Sequence, residues 1–136
     1  MDTLKSIMRT AASGMHVQGQ RLKIISENVA NAESTASIPG GDPYRRKVIE
    51  FDQMVDRATG ANIVTVKRVT EDRSDFSLVY DPNHPAADEK GFVKMPNVNT
   101  LIEMTDSREA TRSYEANMNI LESGRSMMAK TVDLLK

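Results

Sequence analysis

Apolar residues near the N-terminus recur at alternating intervals of four and three positions, and together they form one continuous seam. This spacing is that of a heptad repeat, which places all of its members on one face of an α-helix. No proline interrupts the pattern before Pro39, where a run of breakers at 34–43 ends it. The sequence therefore predicts one helix ending near Glu33, with a seam of Leu4, Met8, Ala11, Met15, Gln18, Leu22, Ile25, Val29 and Ala32.

The C-terminal part repeats this design. Its start is indicated by Pro96, by the nearby asparagines, and by Thr100 and Glu103 at capping-box spacing. We predict a helix whose first turn lies between 97 and 101 and which continues to the end of the chain. Its seam is Met104, Ser107, Thr111, Tyr114, Met118, Leu121, Arg125, Met128, Val132 and Leu135.

The middle of the chain carries strand signals instead. Residues 44–51, 62–69, 76–80 and 92–95 are rich in β-branched and aromatic residues, and turn residues occupy 58–62 and 88–91. The predicted fold class is α+β, with two long terminal helices forming a coiled-coil-like bundle and a small, mostly β insert between them. We divide the chain into an N-terminal assembly helix (1–33), a loop and small β-rich region (34–96) and a C-terminal assembly helix (97–136).

Helices of this length favour a polymer over a compact monomer. A helix of about 38 residues would be roughly 57 Å long, whereas a compact chain of this size has a diameter of about 37 Å. The β insert is too small to cover both seams, and burial of each apolar seam side chain contributes on the order of 1.5–3 kcal/mol. The seams are therefore expected to pack on each other and on neighbouring subunits.

Two features of the seams leave alternatives open. Polar residues at Gln18, Ser107, Thr111 and Arg125 either specify register and partner or simply turn toward solvent as the heptad drifts. Gly14 and Gly124 each cost about 1 kcal/mol relative to alanine inside a helix. We interpret both glycines as positions of close helix approach in preference to kinks.

Composition narrows the function classes. A net charge of -1, from 18 basic and 19 acidic residues, provides no electrostatic footprint for a nucleic acid or an anionic membrane. Cysteine is absent, which excludes disulfides and thiolate chemistry. The sequence has neither an apolar stretch of signal-peptide length nor one long enough to span a bilayer. We expect no nucleic-acid partner, no direct membrane insertion, and any export by a route without a cleaved signal peptide.

One constellation resembles a metal site. Asp81, His84 and Asp88 supply a D-x-x-H-x-x-x-D pattern, but Pro82 and Pro85 push the preceding residues toward extended backbone and away from a common helical face. Phosphate-loop, dinucleotide-binding, zincin and serine-hydrolase motifs are also missing. We predict no metal site, no cofactor and no catalytic residues, and we assign no role to the basic run Arg45, Arg46 and Lys47.

Five segments carry a family resemblance. The SGM at 13–15 and the ISENVANA at 25–32 resemble the N-terminal signature of flagellar axial proteins, the rod, hook and hook-associated subunits. DP-x-HP at 81–85, GFV-x-MPNVN at 91–99 and R-x-YEAN at 112–117 narrow the resemblance to the proximal-rod subunits. The motif positions are Ser26, Asn28, Asn31, Asp81, Pro82, His84, Pro85, Pro96, Asn97, Asn99, Arg112, Tyr114, Glu115 and Asn117.

The resemblance implies a mechanical function. Family members place their terminal helices in a concentric inner tube, hold a smaller β-rich region outside it and transmit torque along this shaft, which is required for motility. It also implies delivery by the flagellar type III export apparatus and assembly in the rod of the basal body, in the periplasmic space. Implied neighbours are copies of the chain itself, other proximal and distal rod subunits, and the export-gate adaptor subunit.

Three rival interpretations remain at this level. Seam periodicity alone would equally fit a cytosolic coiled-coil adaptor that forms a closed dimer. The chain could instead be a small metal-dependent hydrolase that uses Asp81, His84 and Asp88. Finally, the chain could be a different flagellar rod subunit.

Overall fold

The computed structural model describes residues 2–136, and it contains two helices and four strands. The order is α1 (Asp2–Ala30), β1 (Lys47–Val55), β2 (Asn62–Glu71), β3 (Ser77–Tyr80), β4 (Phe92–Met95) and α2 (Thr100–Leu134). The strands form two separate two-stranded sheets, β1 with β2 and β3 with β4. This confirms the predicted α+β class, with long terminal helices and a small β insert. Within 2–136, neither helix is long and apolar enough to cross a membrane.

The chain divides into two compact units that do not follow the three consecutive segments read from the sequence. The first unit comprises residues 2–22, Ile49–Arg68 and Arg108–Lys136, and the second comprises Lys23–Val48 and Val69–Ser107. Each unit combines a stretch of α1, a stretch of α2 and part of the β insert. The segments 1–33, 34–96 and 97–136 therefore remain a proposal about assembly.

Each unit has a small apolar core. In the first, small and branched side chains are buried on α1, on α2, on β2 and just before β2: Ala11, Val17, Ala61, Ile63 and Ala110. In the second, Ile25, Ala86 and Val93 are buried, together with the polar side chains of Asn28 and Glu103. Buried polar groups need hydrogen-bond partners to offset their desolvation, so these two residues point to a polar site in the second unit.

The second hairpin, formed by β3 and β4, depends on an aromatic pair and on a glycine next to it. Strands β3 and β4 are antiparallel, with Ser77 opposite Met95 and Tyr80 opposite Phe92. The rings of Tyr80 and Phe92 meet edge to face at 5.4 Å. Gly91 adopts a φ of 87°, and a Cβ there would lie 2.9 Å from the Tyr80 ring, so glycine is required for both backbone and space.

The start of α2 differs from its predicted cap. Asn99 is the N-cap residue, because its Oδ1 accepts hydrogen bonds from the N–H groups of Leu101 at 3.1 Å and Ile102 at 3.4 Å. The capping-box interpretation of Thr100 and Glu103 was wrong. The Glu103 carboxylate turns into the interior of the second unit, where it binds Arg46.

Candidate assembly site

In the first unit, α1 and α2 pack antiparallel against each other. Met8 lies against Gly124, the Asn117 side chain lies against Gly14, and Arg21 forms an ion pair with Glu109 at 3.6 Å. From Met8 to Arg21 along α1, the contacted residues on α2 run backward from Gly124 to Glu109, so the two helices are antiparallel.

The two helical glycines allow this close approach. A Cβ on Gly14 would lie 2.6 Å from Nδ2 of Asn117, and a Cβ on Gly124 would lie 2.6 Å from Cγ of Met8. Both distances are shorter than van der Waals contact. This confirms the interpretation of Gly14 and Gly124 as positions of close approach, and it places Asn117 of the R-x-YEAN motif against Gly14 of the SGM motif.

Hydroxyl side chains attach α1 to the first hairpin. Ser6 Oγ donates to Thr59 O at 2.9 Å and Thr10 Oγ1 donates to Asn62 O at 2.8 Å. Ser13 Oγ accepts from Val64 N–H at 3.2 Å. Spacings of four and three place the three hydroxyls on one helix face. The apolar seam did not predict this row, although a stripe of hydroxyl residues beside the seam was the available signal.

A buried polar cluster joins the helices and the insert in the second unit. We call it the polar clasp and define it as Asn28, Tyr44, Arg46, Asp72, Asn97 and Glu103. Asn28 lies at its centre and is 1% exposed. Its Oδ1 accepts from Lys47 N–H at 2.9 Å and Tyr44 O–H at 2.8 Å, while its Nδ2 donates to Lys47 O at 2.9 Å. Asn28 thus pairs with both backbone groups of the first residue of β1.

Arg46 is the cation of the clasp. Its Nε donates to Glu103, whose side chain is 1% exposed, and its Nη1 lies 3.3 Å from Oδ2 of Asp72. Asp106 is also within 3.8 Å of Nη2. Burial would lower the pKa of Arg46, but the hydrogen bond and charge of Glu103 outweigh it and raise that pKa above its ordinary value. Arg46 is therefore held charged among carboxylates.

Asn97 of the MPNVN motif completes the clasp. Its Oδ1 accepts from Arg46 N–H at 2.8 Å, and its Nδ2 donates to Asp72 O at 2.9 Å. The Nδ2 group also lies 3.1 Å from Oγ of Ser74. One side-chain amide therefore holds the residue before β1 and the residue after β2 in place.

Two further groups of the clasp, Tyr44 and Asp72, have pKa values shifted from their ordinary values. Burial raises the pKa of the Tyr44 hydroxyl, against a lowering by Lys47. The Asp72 carboxylate accepts hydrogen bonds from the Ser74 backbone and side chain and then from Arg46, and these lower its pKa. The ionised form of Asp72 and the neutral form of Tyr44 are thus the ones that the fold stabilises.

We expect Asp72 to contribute to acid sensitivity. Its pKa is lowered on folding, so its stabilisation is complete above the unfolded value near 3.8 and is lost as the pH falls through the lower folded value. Replacing Asp72 by Asn should flatten part of the decline in stability below pH 4. Urea unfolding at pH 7, 4 and 3 measures the free energy of unfolding of the wild type and of Asp72→Asn. Asp75→Asn serves as a control at an exposed position. Parallel pH profiles for wild type and Asp72→Asn would contradict the assignment.

The D-x-x-H-x-x-x-D pattern forms a hydrogen-bonded loop. Nδ1 of His84 accepts from Ala86 N–H at 3.0 Å, and Nε2 lies 3.4 Å from Oγ1 of Thr35. Asp88 Oδ1 accepts from the N–H groups of Lys90 and Phe92, both at 2.9 Å. Within 2–136, no group of three or more histidine, aspartate or glutamate side chains has the geometry to hold a metal ion.

We predict that the purified protein holds no stoichiometric transition metal, because both His84 nitrogens and the Asp88 carboxylate already have hydrogen-bond partners within the protein. Elemental analysis after dialysis measures it. One firmly bound metal per chain that disappears in His84→Ala would contradict the prediction.

The remaining motif positions are divided between interior and surface. Asn31 Nδ2 donates to Glu27 O at 2.8 Å at the end of α1, and Pro96 is buried ahead of α2. Asp81 and His84 line a cavity of about 260 Å³ in the second unit. Tyr114 is half-buried. The exposed positions are Ser26, Pro82, Pro85, Arg112 and Glu115.

The predicted seam positions are unevenly covered within the single chain. Ala11 and Ile25 are buried, and partly buried positions include Leu4, Met8, Met15, Leu22, Tyr114, Met118, Leu121 and Met128. Val29, Met104, Arg125, Val132 and Leu135 are exposed. The chain therefore partly covers the apolar positions at the start of the α1 seam and in the middle of the α2 seam. It leaves Val29 uncovered near the end of α1, and Met104, Val132 and Leu135 uncovered toward the ends of the α2 seam.

Comparison with known families now identifies the class. Residues 8–36 match the family "Flagella basal body rod protein", and residues 89–134 match "Flagellar basal body rod FlgEFG protein C-terminal". These matches cover most of α1 and all but the last residues of the C-terminal part, and they define a flagellar axial protein of the rod type.

The relatives narrow the class further. The chain is 53% identical over 136 residues to the flagellar basal-body rod protein FlgC of Agrobacterium fabrum, covering 100% of the chain and 98% of that protein. The chain is 44% identical to FlgC of Escherichia coli O6:H1, and the match covers 96% of the chain and 97% of that protein. It is 37% identical to FlgC of Bacillus subtilis, and the match covers 95% of the chain and 96% of that protein. The chain belongs to the FlgC family of flagellar basal-body rod proteins. It is a structural, non-enzymatic subunit of the flagellar rod in the basal body.

Proposed function

We propose that this chain builds the proximal part of the rod by polymerising through its terminal helices, and that the resulting shaft transmits torque and is required for motility. The observation that carries the proposal is the uncovered apolar surface on both helices. In α2 alone, Leu101 is 72% exposed, Met127 58% and Leu134 87%. Burying such a side chain against a neighbouring subunit would contribute about 1.5–3 kcal/mol, which favours assembly.

The proposed neighbours follow from rod assembly. They are copies of the same chain, other proximal and distal rod subunits, and the export-gate adaptor subunit. Delivery by the flagellar type III export apparatus, without a cleaved signal peptide, would bring the chain to the periplasmic space. Marginal helices whose apolar faces are completed only by neighbours suit a subunit that is exported before it is fully folded.

Site-specific labelling tests the position. The chain has no cysteine, so Arg57→Cys, at an exposed position after β1, supplies one thiol for maleimide-linked gold. Electron microscopy of purified basal bodies should place the gold next to the membrane ring, and deletion of the gene should abolish rods and motility. Label along the distal rod would contradict the proximal assignment, and a soluble closed dimer absent from basal bodies would contradict polymerisation.

A further inference from the structure

The first unit contains a groove that its own chain leaves empty. The groove has a volume of about 400 Å³ and lies between the start of α1, the β1–β2 turn and the middle of α2. Its apolar wall is formed by Ile7, Ala11, Ala61 and Ile120. Ile7 is 47% exposed and Ile120 is 43% exposed, although both are large apolar residues.

Two of the polar residues that line the groove are already engaged. The hydroxyl groups of Ser6 and Thr10 donate to the carbonyls of Thr59 and Asn62. A hydroxyl has one proton to donate, so these two side chains have none left for a guest. Thr3, Asn62 and Asn117 also line the groove, but most of its accessible surface is apolar and suits an aliphatic side chain.

Such side chains project from the end of α2. Leu134 is 87% exposed and Leu135 is 82% exposed. Burial of a leucine side chain removes a large apolar surface from water, so a pair of adjacent exposed leucines has a strong tendency to find an apolar site.

These leucines cannot enter the groove of their own chain. Ile120 in the groove wall and Leu134 belong to one continuous helix, Thr100–Leu134. At 1.5 Å per residue, the 14 positions between them separate the two residues by about 21 Å. Only another copy of the chain can supply these leucines to this groove.

We propose that the Leu134–Leu135 end of one subunit inserts into the α1–hairpin groove of the next. Because the inserted end and the receiving groove are different surfaces, the contact is heterologous and each subunit keeps one free end and one free groove. Repetition of this contact therefore propagates as an open chain. This inference rests on the proposed polymerisation and names one of its contacts.

Paired cysteines test the contact, since the natural chain has none. A chain with Ile7→Cys and Leu135→Cys, oxidised in isolated basal bodies, should yield a ladder of dimers, trimers and longer species on a non-reducing gel. The matched control is Lys5→Cys with Leu135→Cys. Lys5 is exposed and two residues away on α1, but it does not line the groove, so this pair should give at most one tenth of that cross-linking.

The outcomes separate this contact from polymerisation itself. Blotting of the same basal bodies measures incorporation independently of cross-linking. Incorporated chains that give no ladder, or that stop at dimers, would overturn the heterologous contact and leave polymerisation standing. A second pair, Thr3→Cys with Leu134→Cys, also places one thiol in the groove wall and one on the end of α2. Absence of a ladder from both pairs in assembled rods decides against the proposal.

Discussion

Replacing Arg46 by Leu should lower the free energy of unfolding by about 3 kcal/mol, because it leaves a buried carboxylate without its cation. Glu103 is 1% exposed, and its remaining clasp contact is with Nδ2 of Asn28 at 3.5 Å. The same substitution also removes the contact of the guanidinium with Asp72. Urea unfolding of the purified chain, followed by circular dichroism, measures the change.

Two companion variants separate charge from packing. Arg68→Leu removes an arginine from an ion pair with Glu50 at 2.5 Å, but those side chains are 58% and 41% exposed. Its cost should stay below about 1 kcal/mol. Combining Arg46→Leu with Glu103→Gln removes the unpaired charge and keeps an acceptor for Asn28, so the double variant should be more stable than Arg46→Leu alone. Equal losses for Arg46→Leu and Arg68→Leu would contradict a role for burial.

The clasp illustrates what the sequence could not predict. Its residues are distant in sequence, with 57 positions between Arg46 and Glu103, and no local periodicity connects them. Glu103 at capping-box spacing had a plausible local interpretation, and Arg46 lies in a short basic run to which the sequence assigned no role. Only the tertiary fold, which brings the end of α1, the start of β1 and the first turn of α2 together, reveals that Glu103 is buried and that the half-buried Arg46 is its cation.

The helices, in contrast, follow from local pattern. Heptad spacing and the position of Pro39 predicted a helix ending near Glu33, and α1 ends at Ala30. For α2 the predicted start between 97 and 101 agrees with Thr100. Short-range rules suffice here because each helix is long, strongly periodic and bounded by breaking or capping residues. Which seam positions are covered within one chain depends instead on helix pairing, which the periodicity does not specify.

Two pairs of motif residues have a clear physical role in this chain. Asn28 and Asn97 are polar residues whose amide groups each bind backbone on both sides, so a hydrophobic replacement would leave several backbone groups unpaired. Gly14 and Asn117 are instead a pair matched in size across the two helices. Motif residues that carry the family resemblance thus bind the backbone of the β insert in the second unit and allow α1 and α2 to approach closely in the first.

Replacing Leu121 by Asp should abolish motility by preventing rod assembly. Leu121 lies midway along the predicted C-terminal seam and is partly buried in the single chain. We expect neighbouring subunits to cover the rest of this side chain. The substitution would then lose roughly 2 kcal/mol of apolar burial, and the carboxylate would also incur a desolvation penalty of several kcal/mol. Motility assays and electron microscopy of basal-body preparations measure the effect.

Glu122→Gln provides the control, because Glu122 is adjacent in sequence, exposed and off the seam. It should leave motility and rods unchanged, as exposed substitutions usually alter stability by less than about 0.5 kcal/mol. Circular dichroism of purified Leu121→Asp should retain the β signal of the insert, since neither hairpin depends on that position for its strand pairing. If Leu121→Asp cells swim normally and contain normal rods, this face of α2 is not buried between subunits, and the seam assignment along the C-terminal helix fails.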